Sequence, residues 1–411
     1  MSETQPAPAN SGDHAMTHES ELPRETTRRE MIKGSVALAG LGVLGLPDWA
    51  FPALVQEEVL VPFTDLPDTI VLERTPESRI IDIRTIRDAL TPADRFFTTQ
   101  HFGHPQVDLA TYRLRVSGLV DRPLSLSLDE LRAMPSRELV FGFECSGNRG
   151  PVNGLSSNGR WRGVPLRAVL ERAGLQANAR EVVFLGADRG EVEVEFRGNT
   201  FPVEQQYGRS LQRDVALSDE PLLAYALNDQ ALSTHQGRPL RLLVPGWYGA
   251  PNVKWLSDIH VQEDQYLGNY QARWYRTLKG VMVDGEMKWM ETAITRMQLK
   301  SFVARVTRTS TDGSRHNVFG VVLNDGTPIR SVEVRIDDGP WQPATLDPET
   351  MRERYGWKFF NYTWNNAAPG PHTVTSRVTD VNGNVQPTAE DLESKMTFLE
   401  QNSQLARTLT I

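Results

Sequence analysis

Between residues 112 and 118 apolar and polar positions alternate, with Leu114 and Val116 on one face, which predicts a half-buried strand. Ser127 and Glu130 then have the spacing of a capping box, in which the serine caps the first turn and the glutamate reaches back, so a short helix should run to about Met134. Apolar residues recur at helical spacing from Val164 to Ala173. Leu240 to Val244 reads as a short buried strand closed by Pro245-Gly246. From about Phe302 the period drops to two. Val332, Val334 and Ile336 alternate with Ser331, Glu333 and Arg335, and Val374, Ser376 and Val378 continue the pattern. Turn sequences recur at Asn324-Asp325-Gly326, Asp337-Asp338-Gly339 and Asp380-Val381-Asn382-Gly383. Strands at short intervals with such turns predict a β-sandwich. The expected fold class is α+β: a lead-in over 51–95 that is irregular, acidic and proline-bearing, a mixed domain over 96–285, and a sandwich over 286–411.

Residues 1–50 read as an address. A polar leader precedes Thr27-Arg28-Arg29-Glu30-Met31-Ile32-Lys33, and an apolar stretch follows from Gly34 to Leu46. The stretch is shorter than the roughly 20 apolar residues a membrane helix needs. A basic segment before a short apolar one is a secretory layout, and the paired arginines make it a twin-arginine signal. The expectation is an exported protein, periplasmic or secreted, with no membrane span after processing. Gly40-Leu41-Gly42-Val43-Leu44-Gly45 spells a dinucleotide fingerprint, but it lies inside this stretch without the strand and helix such a site requires.

Charge and cysteine content narrow the chemistry. The 411 residues carry a net charge of −8, which argues against a general nucleic-acid surface. The single cysteine, Cys145, excludes internal disulfides, iron–sulfur clusters and covalent haem attachment. A lone cysteine is ordinarily a small buried hydrophobe; its surroundings here reverse that reading. An apolar, β-prone run from Leu139 delivers Cys145 into a turn of small and polar residues, Ser146-Gly147-Asn148-Arg149-Gly150. Small residues let the backbone approach a bulky ligand, and Arg149 suits a phosphate. Cationic neighbours would lower the thiol pKa and favour a soft metal. His101 and His104, three apart with no third ligand, read as structural.

The Cys145 segment resembles the Cys-Ala/Ser-Gly-Asn-Arg motif of the sulfite oxidase family. Three further blocks resemble that family in the same order: Gly159-Arg160-Trp161-Arg162-Gly163-Val164, then Glu220-Pro221-Leu222-Leu223-Ala224-Tyr225, then Gly237-Arg238-Pro239-Leu240-Arg241 through Val244-Pro245-Gly246 to Asn252-Val253-Lys254-Trp255-Leu256. The resemblance implies a sulfite oxidase-type molybdopterin domain followed by an immunoglobulin-like dimerisation domain, and so a homodimer. It implies molybdopterin with molybdenum, Cys145 as the protein's metal ligand, and Asn148, Arg149, His235 or Gln236, Arg241 and Lys254 as cofactor contacts. Arg160 matches a substrate-pocket arginine. Tyr266 matches the active-site tyrosine, with Tyr270 close by.

The implied activity is oxygen-atom transfer to or from a small sulfur compound, with sulfite oxidation to sulfate as the leading reaction. Electrons would pass to a separate c-type cytochrome, since the chain has no haem motif of its own. One departure bears on the substrate. Thr99 stands where sulfite-oxidising relatives carry arginine. A charge-assisted hydrogen bond is worth roughly 1.5–3 kcal/mol, or about tenfold to a hundredfold in rate. A sulfur dehydrogenase of thiosulfate oxidation, an S- or N-oxide reductase and a non-catalytic exported binding protein therefore stand as alternatives.

Overall fold

Strands are the main regular element of the computed structural model, which describes residues 58–310 and 312–411. The twin-arginine leader and the start of the lead-in lie outside the described residues. Among those described, no helix is long and apolar enough to cross a membrane.

Two sheets build the part that carries the cysteine. One runs Leu124–Leu126, Leu114–Gly118, Leu256–Gln262, Glu181–Phe196, Asn199–Gln212 in spatial order. Leu114 and Val116 face the core as their alternation requires, and Arg115 faces out to Asp258. The other sheet runs Gln230–Ala231, Leu222–Leu227, Ser156–Pro165, Arg137–Glu144, with Arg241–Leu243 also paired to Leu222–Leu227. The Ser127–Glu130 capping box is present in both directions and starts the helix Leu128–Arg132. The second expected helix occupies Leu166–Ala173; Val164 and Pro165 instead end a strand, because Val164 pairs with Leu223. Val169, Leu170, Val182, Phe184, Leu242 and Ile259 meet in one fully buried cluster between the sheets. At roughly 1.5–3 kcal/mol per large apolar side chain, that cluster fixes the strands whose ends carry the site.

The C-terminal region is a pair of facing sheets. Lys300–Arg308, Arg315–Leu323 and Lys358–Asn365 form one, and Ile329–Ile336, Pro371–Asp380 and Ala406–Thr410 form the other. Val303, Val318 and Phe360 of the first pack on Val332, Val334, Val374 and Val378 of the second, the positions the period-two pattern marked. The lead-in is more ordered than expected. Val59–Val61 pairs with Arg308 to Val306 as an edge strand, and Ile81, Ile83 and Ile86 pack on Phe302 and Phe319. Two hairpins also exceed the expectation. Glu181–Phe196 with Asn199–Gln212 extends far beyond its sheet, and Arg276–Val283 with Glu286–Ala293 forms a separate two-stranded ribbon that straddles residue 286.

Candidate active site

Strand Arg137–Glu144 ends directly at Cys145, and the turn that follows is held by its own polar groups. Cys145 N–H donates to Leu155 O at 2.9 Å and Asn148 N–H donates to Cys145 O at 2.8 Å. The Asn148 amide donates to Glu144 Oε2 at 2.8 Å and accepts from Leu155 N–H at 3.0 Å. Glu144 is buried and forms an ion pair with buried Lys300, Nζ to Oε2 3.0 Å. The loop after Val244 crosses this turn closely. Gly249 N–H donates to Glu144 O at 2.7 Å, and a Cβ there would stand 3.4 Å from that oxygen.

Cys145 lines a cleft that holds roughly 610 Å³ of space, open solvent included. Segment Phe97–His101 forms one side, and Tyr207, Asp188 and Tyr275 form another. His235, Arg241, Asn252, Lys254 and Trp255 line it as well. The thiol is not activated as the sequence suggested. Burial pushes it up to about 11 and neighbouring Glu144 adds to this, outweighing the Gly147 N–H that favours the thiolate. A metal cation, not the protein's own charges, would have to stabilise the thiolate.

The two expected cations are where the resemblance put them. Arg241 is buried and spans Gln236 O at 3.1 Å and Asn252 O at 3.2 Å, with the Phe143 and Trp161 rings beside it. Its Nε is buried without a partner, and burial pushes the group down to about 9. Lys254 Nζ donates to Gln100 Oε1 at 2.6 Å, Thr98 Oγ1 at 3.0 Å and His235 O at 3.2 Å. Burial, then Arg241, pulls its pKa well below the usual lysine range. Asp188 is the carboxylate of the cavity. Its Oδ1 has no partner and burial pushes it up to about 6 despite Lys254. Gln100 Nε2 and His235 Nδ1 are likewise buried without partners.

This donor set fits the molybdenum cofactor. A buried guanidinium with an unused N–H beside a second buried cation suits a phosphate, an unpaired Asp188 oxygen suits the N–H edge of a pterin ring, and a sulfur at the floor suits a soft metal.

Five sequence expectations lie outside the cavity lining. Asn148 spends its side chain bracing the turn. Arg149 is exposed and lies over the Phe398 ring at 4.3 Å. Gln236 lies just behind the wall, its side chain bonded to Ser233 N–H and Ala93 O. Arg160 projects from the exposed face of Ser156–Pro165 towards Asp229, because strand alternation sends Trp161 inwards instead. Tyr266 packs over Gly208 and Gly268, its N–H held by Glu181 Oε2 at 2.5 Å. The five-residue helical turn Asn269–Arg273 then delivers a different tyrosine, Tyr275, to the cavity. Tyr270, the alternative, stacks behind the wall on His101 and Tyr207.

The missed residues come mostly from the unforeseen hairpin and from His101. Tyr207 donates to Ala250 O at 2.8 Å. His101 Nε2 and the Tyr275 hydroxyl are hydrogen-bonded at 2.8 Å, and burial pushes the imidazole down to about 4, so it is neutral. A histidine read as structural thus sits in the cavity wall.

Comparison with known proteins gives the family. Residues 101–270 match the family described as "Oxidoreductase molybdopterin binding domain". Sulfite oxidase of Gallus gallus is 32% identical over 324 residues, 72% of this chain and 68% of that enzyme. Mitochondrial sulfite oxidase of Homo sapiens is 32% identical over 326 residues, again 72% of this chain, which spans 57% of the human enzyme's length. An NADH nitrate reductase of Phaseolus vulgaris is 28% identical over 66% of this chain and 34% of its own. The crystal structure of the sulfane dehydrogenase SoxCD from Paracoccus pantotrophus shares the fold, with a TM-score of 0.69 and 21% identity over 90% of this chain and 94% of that one. The chain belongs to the sulfite oxidase family of oxidoreductases that use a molybdopterin cofactor.

Proposed function

We propose that this protein oxidises a small sulfur compound, sulfite first among candidates, at a molybdenum centre anchored by Cys145. The observation that carries the reading is the convergence of Cys145, Arg241 and Lys254 on one cavity with unused donors. When bound, the cofactor supplies two-electron oxygen-transfer chemistry. Arg241 and Lys254 neutralise its phosphate, and Asp188 accepts from its ring. Tyr275 presents its hydroxyl to the substrate, and neutral His101 holds that hydroxyl in place. The aromatic wall of Phe97, Phe143 and Trp255 limits water access.

Thr99 favours a second reading. It lines the cavity without charge, and Arg160 does not replace the missing cation. A larger sulfur species from thiosulfate oxidation would tolerate that wall better than free sulfite. Metal analysis of protein made in a cofactor-competent host should give about one molybdenum per chain, and Cys145→Ser should lose it while keeping the fold. A substrate panel of sulfite, thiosulfate and S- and N-oxides with a dye then decides substrate and direction. Full turnover by the Cys145→Ser variant rejects the assignment.

The remaining organisation is proposed on the same footing. Residues 1–50 serve as the export signal of a periplasmic or secreted enzyme, and the immunoglobulin-like sandwich of 286–411 pairs two copies. A c-type cytochrome takes the electrons. Fractionation of cells with the paired arginines changed to lysine, and light scattering of the purified protein, test the first two.

A further inference from the structure

In the ribbon Arg276–Val283 with Glu286–Ala293, every residue of the second strand is exposed. Its register sorts the side chains. Gly280 pairs with Trp289 and Met282 with Met287, so Trp289, Met282 and Met287 share one face. Along the other edge of the first strand, Lys279 bridges Lys395, and Met396 N–H donates to Leu278 O at 2.8 Å. Cross-strand partners point the same way, so Met396 joins that face, and the exposed ring of Phe398 follows two residues on, where the chain bends. Trp289 is 53% exposed, Met396 59% and Phe398 55%. Single exposed apolar residues are ordinary; four on one face with a fifth close by in sequence mark a contact surface.

This face begins at the Cys145 turn. Glu400 N–H donates to Ser146 O at 2.7 Å. A Cβ on Gly147 would stand 3.8 Å from both Cys145 Sγ and the Phe398 ring, so one residue separates the sulfur from the exposed ring. Arg149 covers that ring and, among the described residues, makes no ion pair.

We propose that this face docks a one-electron carrier protein that presents an apolar surface with a carboxylate opposite Arg149. The proposal rests on the redox reading above. Oxidising sulfite with water gives sulfate, two protons and two electrons. A chain with one cysteine has no iron–sulfur cluster or covalent haem to store those electrons. Each docked carrier accepts one, so two dock per turnover, and the protons pass to water. Docking here sets the acceptor against the backbone that carries the metal's sulfur ligand.

The test uses the full chain loaded with cofactor. The probe is an oxidised, acidic, single-haem c-type cytochrome. Trp289→Lys and Phe398→Glu are compared with wild type in cytochrome reduction, in turnover with ferricyanide, and in cytochrome binding to metal-free protein. Each variant should lose about tenfold or more in cytochrome reduction and in binding, as interface anchors do, with ferricyanide turnover unchanged. Unchanged cytochrome reduction overturns the proposal. So does a parallel loss of ferricyanide turnover, which would make the face a support of the site. A variant that turns a dimer into a monomer while still reducing cytochrome gives the face to a second copy of this chain and overturns it too. Absence of ferricyanide turnover in wild type sinks the redox reading instead, and the binding measurement still judges the face.

Discussion

Replacing Arg241 with methionine should leave the stability of the cofactor-free protein nearly unchanged while weakening cofactor retention. A guanidinium stays charged in proteins, so the downward push from 12.5 to about 9 is a cost of burying it. At about 1.4 kcal/mol per pH unit that cost is on the order of 5 kcal/mol. Against it stand the bonds to Gln236 O and Asn252 O, each worth roughly 1.5–3 kcal/mol to a charged donor. Together the two bonds come to roughly 3–6 kcal/mol, so cost and gain nearly cancel and the methionine variant should melt within a few degrees of the wild type without cofactor. With cofactor the balance favours arginine. The cofactor's anion loses the Nε donor, and retention should fall about tenfold to a hundredfold. Thermal unfolding of metal-free protein, paired with cofactor release during dialysis, measures both. A metal-free Arg241→Met protein that melts many degrees lower would show that the arginine is built for the fold, and the reasoning would be wrong.

Further outcomes follow from the same cavity. Tyr275→Phe removes the hydroxyl held by His101 and should lower kcat about tenfold to a hundredfold with little change in KM, whereas Tyr266→Phe should stay close to wild type; steady-state kinetics on both distinguishes them. Asp188, raised to about 6, binds its proton more tightly folded than unfolded, so it favours the metal-free fold at acid pH and loses that contribution as pH rises from about 4 through 6. Asp188→Asn should flatten that part of the stability–pH curve, as read by urea unfolding at a series of pH values. Lys300→Met leaves Glu144 buried without its cation and should cost about 3–5 kcal/mol of stability; a loss below 1 kcal/mol in calorimetry would refute the brace assigned to that pair.

Local rules were legible where one short segment decides the outcome. The Ser127–Glu130 box and the alternating Leu114 and Val116 follow from neighbours within a few residues, whereas Cys145, Arg241 and Lys254, which line one cavity, were singled out by motifs shared with a family. Features set by contacts far apart in the chain were not. His101 gains its role from a tyrosine 174 residues away, and Asp188 and Tyr207 reach the cavity from a hairpin whose polar outer half carried no core signal. Arg160 lies outside the cavity lining for a different reason: its motif matched, but strand parity turns its side chain to solvent. Tyr266 lies outside it too, and Tyr275, after the helical turn Asn269–Arg273, is the tyrosine that lines the wall.

The bond from Glu400 to Ser146 has a consequence for biosynthesis. The turn that presents the sulfur is completed by residues far along the chain, and Leu399 packs beside Phe143 in the same cluster. A ribosome-bound intermediate has Cys145 in hand long before it has the peptide that closes over it. The closed turn therefore forms only after residue 400 has been made and has folded back, and firm metal capture follows that step.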